Sequence, residues 1–421
     1  MTARTWRLAA LSTALVFATA LLPSAAAAPD DTEQLPDHLR TPSASIAAGP
    51  LSTVCDGDGT SGKRVQALYV RGSGQADRYS QLVGQFQTFA NQIDDSFVEA
   101  ASRLGGGVRH VRFVTDSSCR ATVNNVTIAQ GDMATVDTIT NAIKAQGYNR
   151  ADRKYVVWYD KDGCGLAFGN GGNDSPGSAN PYNAGPHYAT VGTGCWSWQA
   201  TGHELLHTLG AVQGSAPHSS AFGHCWDDED IMCYDDGGLP NPPGGLVKVC
   251  PGAPENQLDC LGDDYFNTNP APGSYLATHW NVATSAYLIA GGTPYPAGAV
   301  TGLGGKCVDV SSSNTGNGTA IQLWTCNNTG AQRWTKQNGT LRALGKCLDV
   351  ASSGTADGTL VQLWDCNNTG AQTWQARSDG TLLNPQSGKC LDATGSASAD
   401  GTRLQIWTCA AAANQRWQVP A

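Results

Sequence analysis

The sequence is short of charge, of methionine and of long apolar runs. Only 14 % of its residues are Asp, Glu, Lys or Arg, and it holds 3 methionines among 421 residues. That scarcity excludes a coiled coil and a charge-solvated disordered chain, both of which need dense charge. Basic residues are in deficit too: 26 Lys and Arg against 35 Asp and Glu leave a formal charge of -9. A nucleic acid is recognised through a basic stripe that collects phosphates, so no nucleic-acid partner is expected, nor an anionic surface. Beyond Asp30 no segment is long and apolar enough to span a bilayer, and no membrane partner is expected.

What is abundant points elsewhere. With 50 glycines, 12 tryptophans and 14 cysteines the chain reads as rigid, loop-rich and globular, and its length suits two domains. The opening "MTARTWRLAALSTALVFATALLPSAAAAPD" sets Arg4 and Arg7 before an apolar run that ends in small residues, the layout of a secretory signal over residues 1–28. A secreted, extracellular protein is therefore expected, in a compartment where an even number of cysteines pairs off as disulfides. Residues 29–50 are polar and free of cysteine, and read as a leader or short propeptide.

A Gly- and Pro-rich stretch, "AGGTPYPAGAVTGLGGK", separates two textures and places a linker at 291–300. Beyond it, over 301–421, the chain repeats itself three times from Cys307, Cys347 and Cys390. A period of about 40 residues marks an architecture in which each unit buries its apolar face only against its neighbours. The pairs Cys307/Cys326, Cys347/Cys366 and Cys390/Cys409 share one spacing, so one disulfide inside each repeat is the simplest pairing. The runs "AIQLW", "LVQLW" and "LQIW" lie between turn signals and read as short strands.

This region resembles the ricin-type β-trefoil lectin family. Its Gln-x-Trp signature occurs as Gln332/Trp334, Gln372/Trp374 and Gln415/Trp417, which the resemblance assigns to the scaffold. A sugar pocket needs a hydrogen-bonding acid or amide and an aromatic plane on which the ring's apolar face stacks. The positions matching the family's pocket are Asp309, Gln322 and Trp324, then Asp349, Gln362 and Trp364, then Asp392, Gln405 and Trp407. The asparagine that galactose-binding members place before the signature is Asn414 in the third repeat, but Ala331 and Ala371 in the others, where Asn327 and Asn367 are the candidates to replace it. A carbohydrate ligand is expected.

Residues 51–290 read as an α+β domain. "RVQALYVRG", "VRHVRFVT" and "VNNVTIA" are predicted strands, Asp77 to Leu104 and "DMATVDTITNAIKAQG" helices, and "KYVVWYD" a central buried strand. A helix follows with "HELLH", in which His203 and His207 lie one turn apart and project from one face, spaced for one metal ion. Glu204 between them is offset to reach a water rather than the metal. That arrangement suits a Zn2+ hydrolase: the metal acidifies water and polarises a carbonyl, while the carboxylate moves the proton.

Gly210, three residues after His207, supplies a sharp left-handed stop, and Met232 and Tyr234 follow in "DIMCY". Together these residues resemble the metzincin metalloproteases. The resemblance implies a Met-turn at Met232, where the side chain packs rather than reacts, and a role for Tyr234 in stabilising the oxyanion. The family's usual third-ligand position is Gln213 here, a poor zinc ligand beside imidazole. His218 is the preferred third ligand, because Cys225 and Cys233 can then close a small disulfide loop between ligand and Met-turn. His224 is the alternative, followed by Gln213 or an aspartate. His187 is a candidate for an edge strand lining the cleft, against its reading as a surface histidine. Asp227, Asp228, Glu229 and Asp230 lack calcium-loop spacing and read as a solvated acidic loop.

The expectation is a secreted, monomeric Zn2+-dependent endopeptidase acting on a protein or glycoprotein substrate and directed to glycans by a C-terminal trefoil. Two alternatives stay open: a carbohydrate-binding lectin with an inactive or structural zinc domain, and a zinc amidase acting on glycan or cell-wall substrates.

Overall fold

The computed structural model describes residues 53–167, 172–238, 245–250, 257–291, 296–337, 339–367 and 369–420. The expected signal and leader lie outside the described residues. No helix among those described is long and apolar enough to cross a membrane.

The N-terminal half is built on a five-stranded sheet. Its strands are β1 (Arg64–Gly72), β3 (Val123–Ile128), β4 (Arg153–Tyr159), β5 (Gly165–Ala167) and β6 (His187–Gly192), in the order β3-β1-β4-β6-β5. A short β2 (Arg109–Val111) pairs instead with β7 (Leu288–Ala290). β3, β1, β4 and β6 are parallel, and β5 is antiparallel to β6 at the edge. All of β4 is buried, which explains its near-continuous apolar sequence.

Alternation along the strands feeds two cores. Val65, Ala67, Tyr69, Val156 and Trp158 face α1 (Tyr79–Arg103) and α3 (Trp198–Leu209). Leu68, Val70, Tyr155 and Val157 face α2 (Val136–Ala145). Trp158 ties the first core together: it stacks on Phe86 of α1 at 4.4 Å, and its indole N–H donates to Thr201 of α3 at 3.0 Å.

The C-terminal half is all-β. Three disulfides close its repeats as expected, Cys307–Cys326, Cys347–Cys366 and Cys390–Cys409. The signature tryptophans form one threefold pattern: the indoles of Trp334, Trp374 and Trp417 donate to the carbonyls of Val308, Leu348 and Leu391 at 2.8, 2.9 and 2.9 Å. The first strand of this half, Ala297–Gly298, pairs with Trp334 and Thr335, so the trefoil begins inside the segment expected to be linker.

Candidate metal centre and sugar pockets

Helix α3 starts at Ser197, whose hydroxyl accepts from Ala200 N–H at 3.0 Å, and stops at Gly210 with φ 85°. A side chain at Gly210 would strike the Tyr182 ring at 2.5 Å, so glycine is required both for the turn and for the packing. Between these ends His203 and His207 share a face with their Nε2 atoms 3.1 Å apart.

The third imidazole is His224, with Nε2 3.1 Å from that of His207. His218, the preferred choice from sequence, points elsewhere: its Nδ1 lies 3.0 Å from Asp264 and 3.3 Å from Asp227. The third-ligand expectation is therefore corrected to its alternative. Gln213 is engaged too, its carbonyl oxygen accepting from Asn173 N–H at 2.7 Å.

Donor chemistry tests whether this group fits zinc. His203 Nδ1 lies 2.8 Å from the Ile231 carbonyl and His224 Nδ1 2.9 Å from the Asp236 carboxylate. Both partners only accept, so each Nδ1 carries the hydrogen and each Nε2 turns a lone pair inward. Tetrahedral ligands on Zn–N bonds of about 2.0–2.1 Å sit roughly 3.3 Å apart, close to the separations seen. Burial raises the Asp236 pKa, but hydrogen bonds from His224, Ser220 and Gly238 N–H outweigh it and leave it lowered, an ionised carboxylate behind the imidazole. The three residues fit the metal.

Around them, Tyr234 places its ring 4.3 Å from His224 and 5.9 Å from His203, centroid to centroid. Met232 is fully buried beneath. The Cys225–Cys233 disulfide is present and brackets the Met-turn. Glu204 is buried against edge strand β5, where a Cβ on Gly165 would come within 1.9 Å of its carboxylate. That close approach is legible only in three dimensions. The edge is β5, not β6: His187 starts an inner strand, half-buried, with Nδ1 2.9 Å from Lys154 Nζ. Burial and then the Lys154 charge lower its pKa to about 4.

The acidic run is for the most part not solvated, Asp228 alone being partly exposed. Asp227, Glu229 and Asp230 are buried, and Asp230 accepts from Met232 N–H at 2.7 Å and Tyr265 hydroxyl at 2.8 Å. Asp230 thereby braces the Met-turn. Within the same group, the His218 pKa is raised, mainly by its bond to Asp264, and that of Asp227 is raised by burial and then by Asp264.

In the trefoil each proposed pocket assembles by register. Asp309 lies opposite Gln322, Asp349 opposite Gln362, and Asp392 opposite Gln405, so each pair shares a face with the tryptophan two residues on. The glutamine amides donate to the aspartates at 3.0, 2.9 and 3.0 Å. Trp324, Trp364 and Trp407 stay 39, 37 and 43 % exposed, which leaves each indole face open for a sugar ring to stack on. Asn414 joins the third pocket, donating to Asp392 at 2.7 Å. The side-chain oxygens of Asn327 and Asn367 instead accept from Thr329 and Thr369. Sequence reading missed one role: Gln332, Gln372 and Gln415 also donate to the pocket aspartates, at 2.9, 3.1 and 3.0 Å.

Residues 296–417 match the family model of the ricin-type beta-trefoil lectin domain. The C-terminal part is thus a trefoil of lectin type, and carbohydrate binding is the activity that goes with it. Among solved structures, the agglutinin from Abrus precatorius is 33 % identical over 31 % of this chain and 51 % of its own, with TM-score 0.29. A non-toxic homologue of type II RIPs from Momordica charantia (bitter gourd), in complex with alpha-methyl-D-galactoside, is 30 % identical over 30 % of this chain and 47 % of its own, with TM-score 0.27. This chain thus spans about half the length of each. The designed threefold-symmetric protein ThreeFoil is 25 % identical, over 30 % of this chain and 99 % of its own, with TM-score 0.29. No curated protein matches the chain by sequence at a significant level.

Proposed function

We propose that the chain is a secreted, zinc-dependent endopeptidase of metzincin type that its lectin module directs to glycan-bearing substrates. The observation that carries this is the convergence of the His203, His207 and His224 Nε2 atoms, with Glu204 next to His203 on the same helix. A purely structural zinc site has no use for that glutamate. Zinc, when bound, supplies Lewis-acid chemistry that polarises a carbonyl and acidifies water. Glu204 accepts a proton from the attacking water and returns it to the leaving amine. The Tyr234 hydroxyl is the donor for the oxygen that gains negative charge.

A peptide substrate is favoured over a glycan amide by the edge strand. β5 borders Glu204, and an extended peptide adds to such an edge through its own backbone hydrogen bonds. The pockets built on Asp309, Asp349 and Asp392 would hold sugars, galactose-type ligands being the first to try in the Asn414 pocket.

The decisive comparison is wild type against Glu204→Gln. The variant is expected to keep its zinc and lose casein hydrolysis by about 100-fold or more, the scale of general-base catalysis. Unchanged hydrolysis would remove Glu204 from the mechanism, and zinc content of zero in the wild type would remove the metal.

A further inference from the structure

Beside the Met-turn lies a second set of metal-type donors. His218 Nδ1 and carboxylate oxygens of Asp227, Asp263 and Asp264 all lie within 4.8 Å of one another. They come from two segments that meet here: His218 and Asp227 lie on either side of His224 in one loop, and Asp263 and Asp264 in the stretch that follows Cys260. Asp264 accepts His218 N–H at 2.8 Å through one oxygen and meets His218 Nδ1 at 3.0 Å through the other. Asp227 and Asp263 stand 3.3 and 3.8 Å from the same nitrogen.

One imidazole N–H can satisfy one carboxylate. With all three carboxylates ionised, a protonated His218 still leaves the group at a net charge of minus two, a costly arrangement around Asp227 and Asp264, whose side chains are both 1 % exposed. Among the described residues the ion pairs of these carboxylates all run to His218. Backbone amides relieve it only in part: the His218 N–H reaches Asp264, whereas the N–H groups of Asp263, Asp264, Tyr265 and Phe266 go to Asp259. The independent observation is Asp227 itself: its side chain is 1 % exposed, and its Oδ1 has no hydrogen-bond partner among the described residues. A buried carboxylate oxygen of this kind calls for a partner, an ion or a water.

We propose that Asp227, Asp263 and Asp264, flanked by His218, hold a hard divalent cation of the calcium class that pins the His224 loop to the segment after Cys260. Oxygen donors outnumber nitrogen, and the imidazole Nδ1 is occupied by Asp264, which favours a hard ion over a transition metal. The ion cross-links two segments, and so holds the third zinc ligand in place without touching zinc. The proposal is independent of what the zinc centre hydrolyses.

The test uses the full-length, zinc-loaded protein and terbium(III) as a luminescent stand-in for calcium. Trp226, with its ring 4.7 Å from that of His218, is the antenna. Saturable terbium emission displaced by Ca2+ is expected, with Tm about 4 °C or more higher in excess Ca2+ than without it. Asp227→Asn combined with Asp263→Asn should weaken Ca2+ competition at least 10-fold. Should that variant not fold, Trp226→Phe serves instead: emission is lost while the Ca2+ shift in Tm persists. Emission undiminished in Trp226→Phe would overturn the location. No displaceable emission and an unchanged Tm would overturn the site, and a Tm raised by Mn2+ or Zn2+ but not by Ca2+ would overturn the hard-cation assignment.

Discussion

His224 and His218 are the pair of residues on which the candidate metal centre turns. His224 brings its Nε2 to His207 and is backed by Asp236, whereas His218 is committed to Asp264. His224→Ala should therefore lower zinc occupancy about 10-fold or more after dialysis, and His218→Ala should leave it close to wild type; metal analysis of the two proteins checks both. Asp236→Asn keeps the shape but removes the charge behind the imidazole, and should cost about 10-fold in zinc affinity. His203, Glu204 and His207 were legible in the sequence because helical spacing is a local rule. The third imidazole of the group was not, because its place depends on the path of a loop. That loop turns at Val212 (φ 49°) and Ala221 (φ 66°), left-handed positions that neither residue type announces.

Among the elements, those with strong periodicity stand where the residues put them, and the departures have tertiary causes. "VRHVRFVT" reads as one strand, but only Arg109–Val111 pairs with β7, while Phe113 bridges to Val65 of β1. The run serves two partners, and periodicity alone does not show which. The acidic loop reads as solvated because burial of several carboxylates has no local signal; its Asp230 is stabilised by the Cys260 amide and the Tyr265 hydroxyl, both distant in sequence. In the trefoil the internal repeat made strands, disulfides and pockets legible together, since each feature recurs at one offset. It also separates scaffold from surface. Trp334 is fully buried and hydrogen-bonded, so Trp334→Ala should cost about 3–5 kcal/mol in the urea unfolding of this half. Trp324 is 39 % exposed, and Trp324→Ala should leave that unfolding within about 0.5 kcal/mol while weakening sugar binding. Equal losses of stability in the two variants would return Trp324 to the scaffold.

At the scale of the whole molecule the two halves touch through α1: Arg342 pairs with Asp95 at 3.1 Å, and Gln92 donates to the Cys366 carbonyl at 2.8 Å. None of these residues belongs to the metal centre or to the Asp–Gln–Trp sets, so chemistry and targeting are expected to separate. Each trefoil pocket has its own aspartate, buried and held by two glutamines, and loss of one leaves two pockets intact. On a polymeric glycan every remaining pocket contributes through effective concentration, so the loss compounds with each pocket removed. Asp309→Ala, Asp349→Ala and Asp392→Ala should each weaken binding of the full-length protein to an immobilised polysaccharide, by about 1–3 kcal/mol at the altered site. Combined, they should abolish it. Hydrolysis of a short soluble peptide should stay at the wild-type rate in all of them, since a substrate that carries no glycan gains nothing from the tether. A triple variant that stays folded, keeps its zinc and yet loses peptide hydrolysis would show that the trefoil takes part in the catalytic site. One that still binds the polysaccharide would move sugar recognition away from these three aspartates.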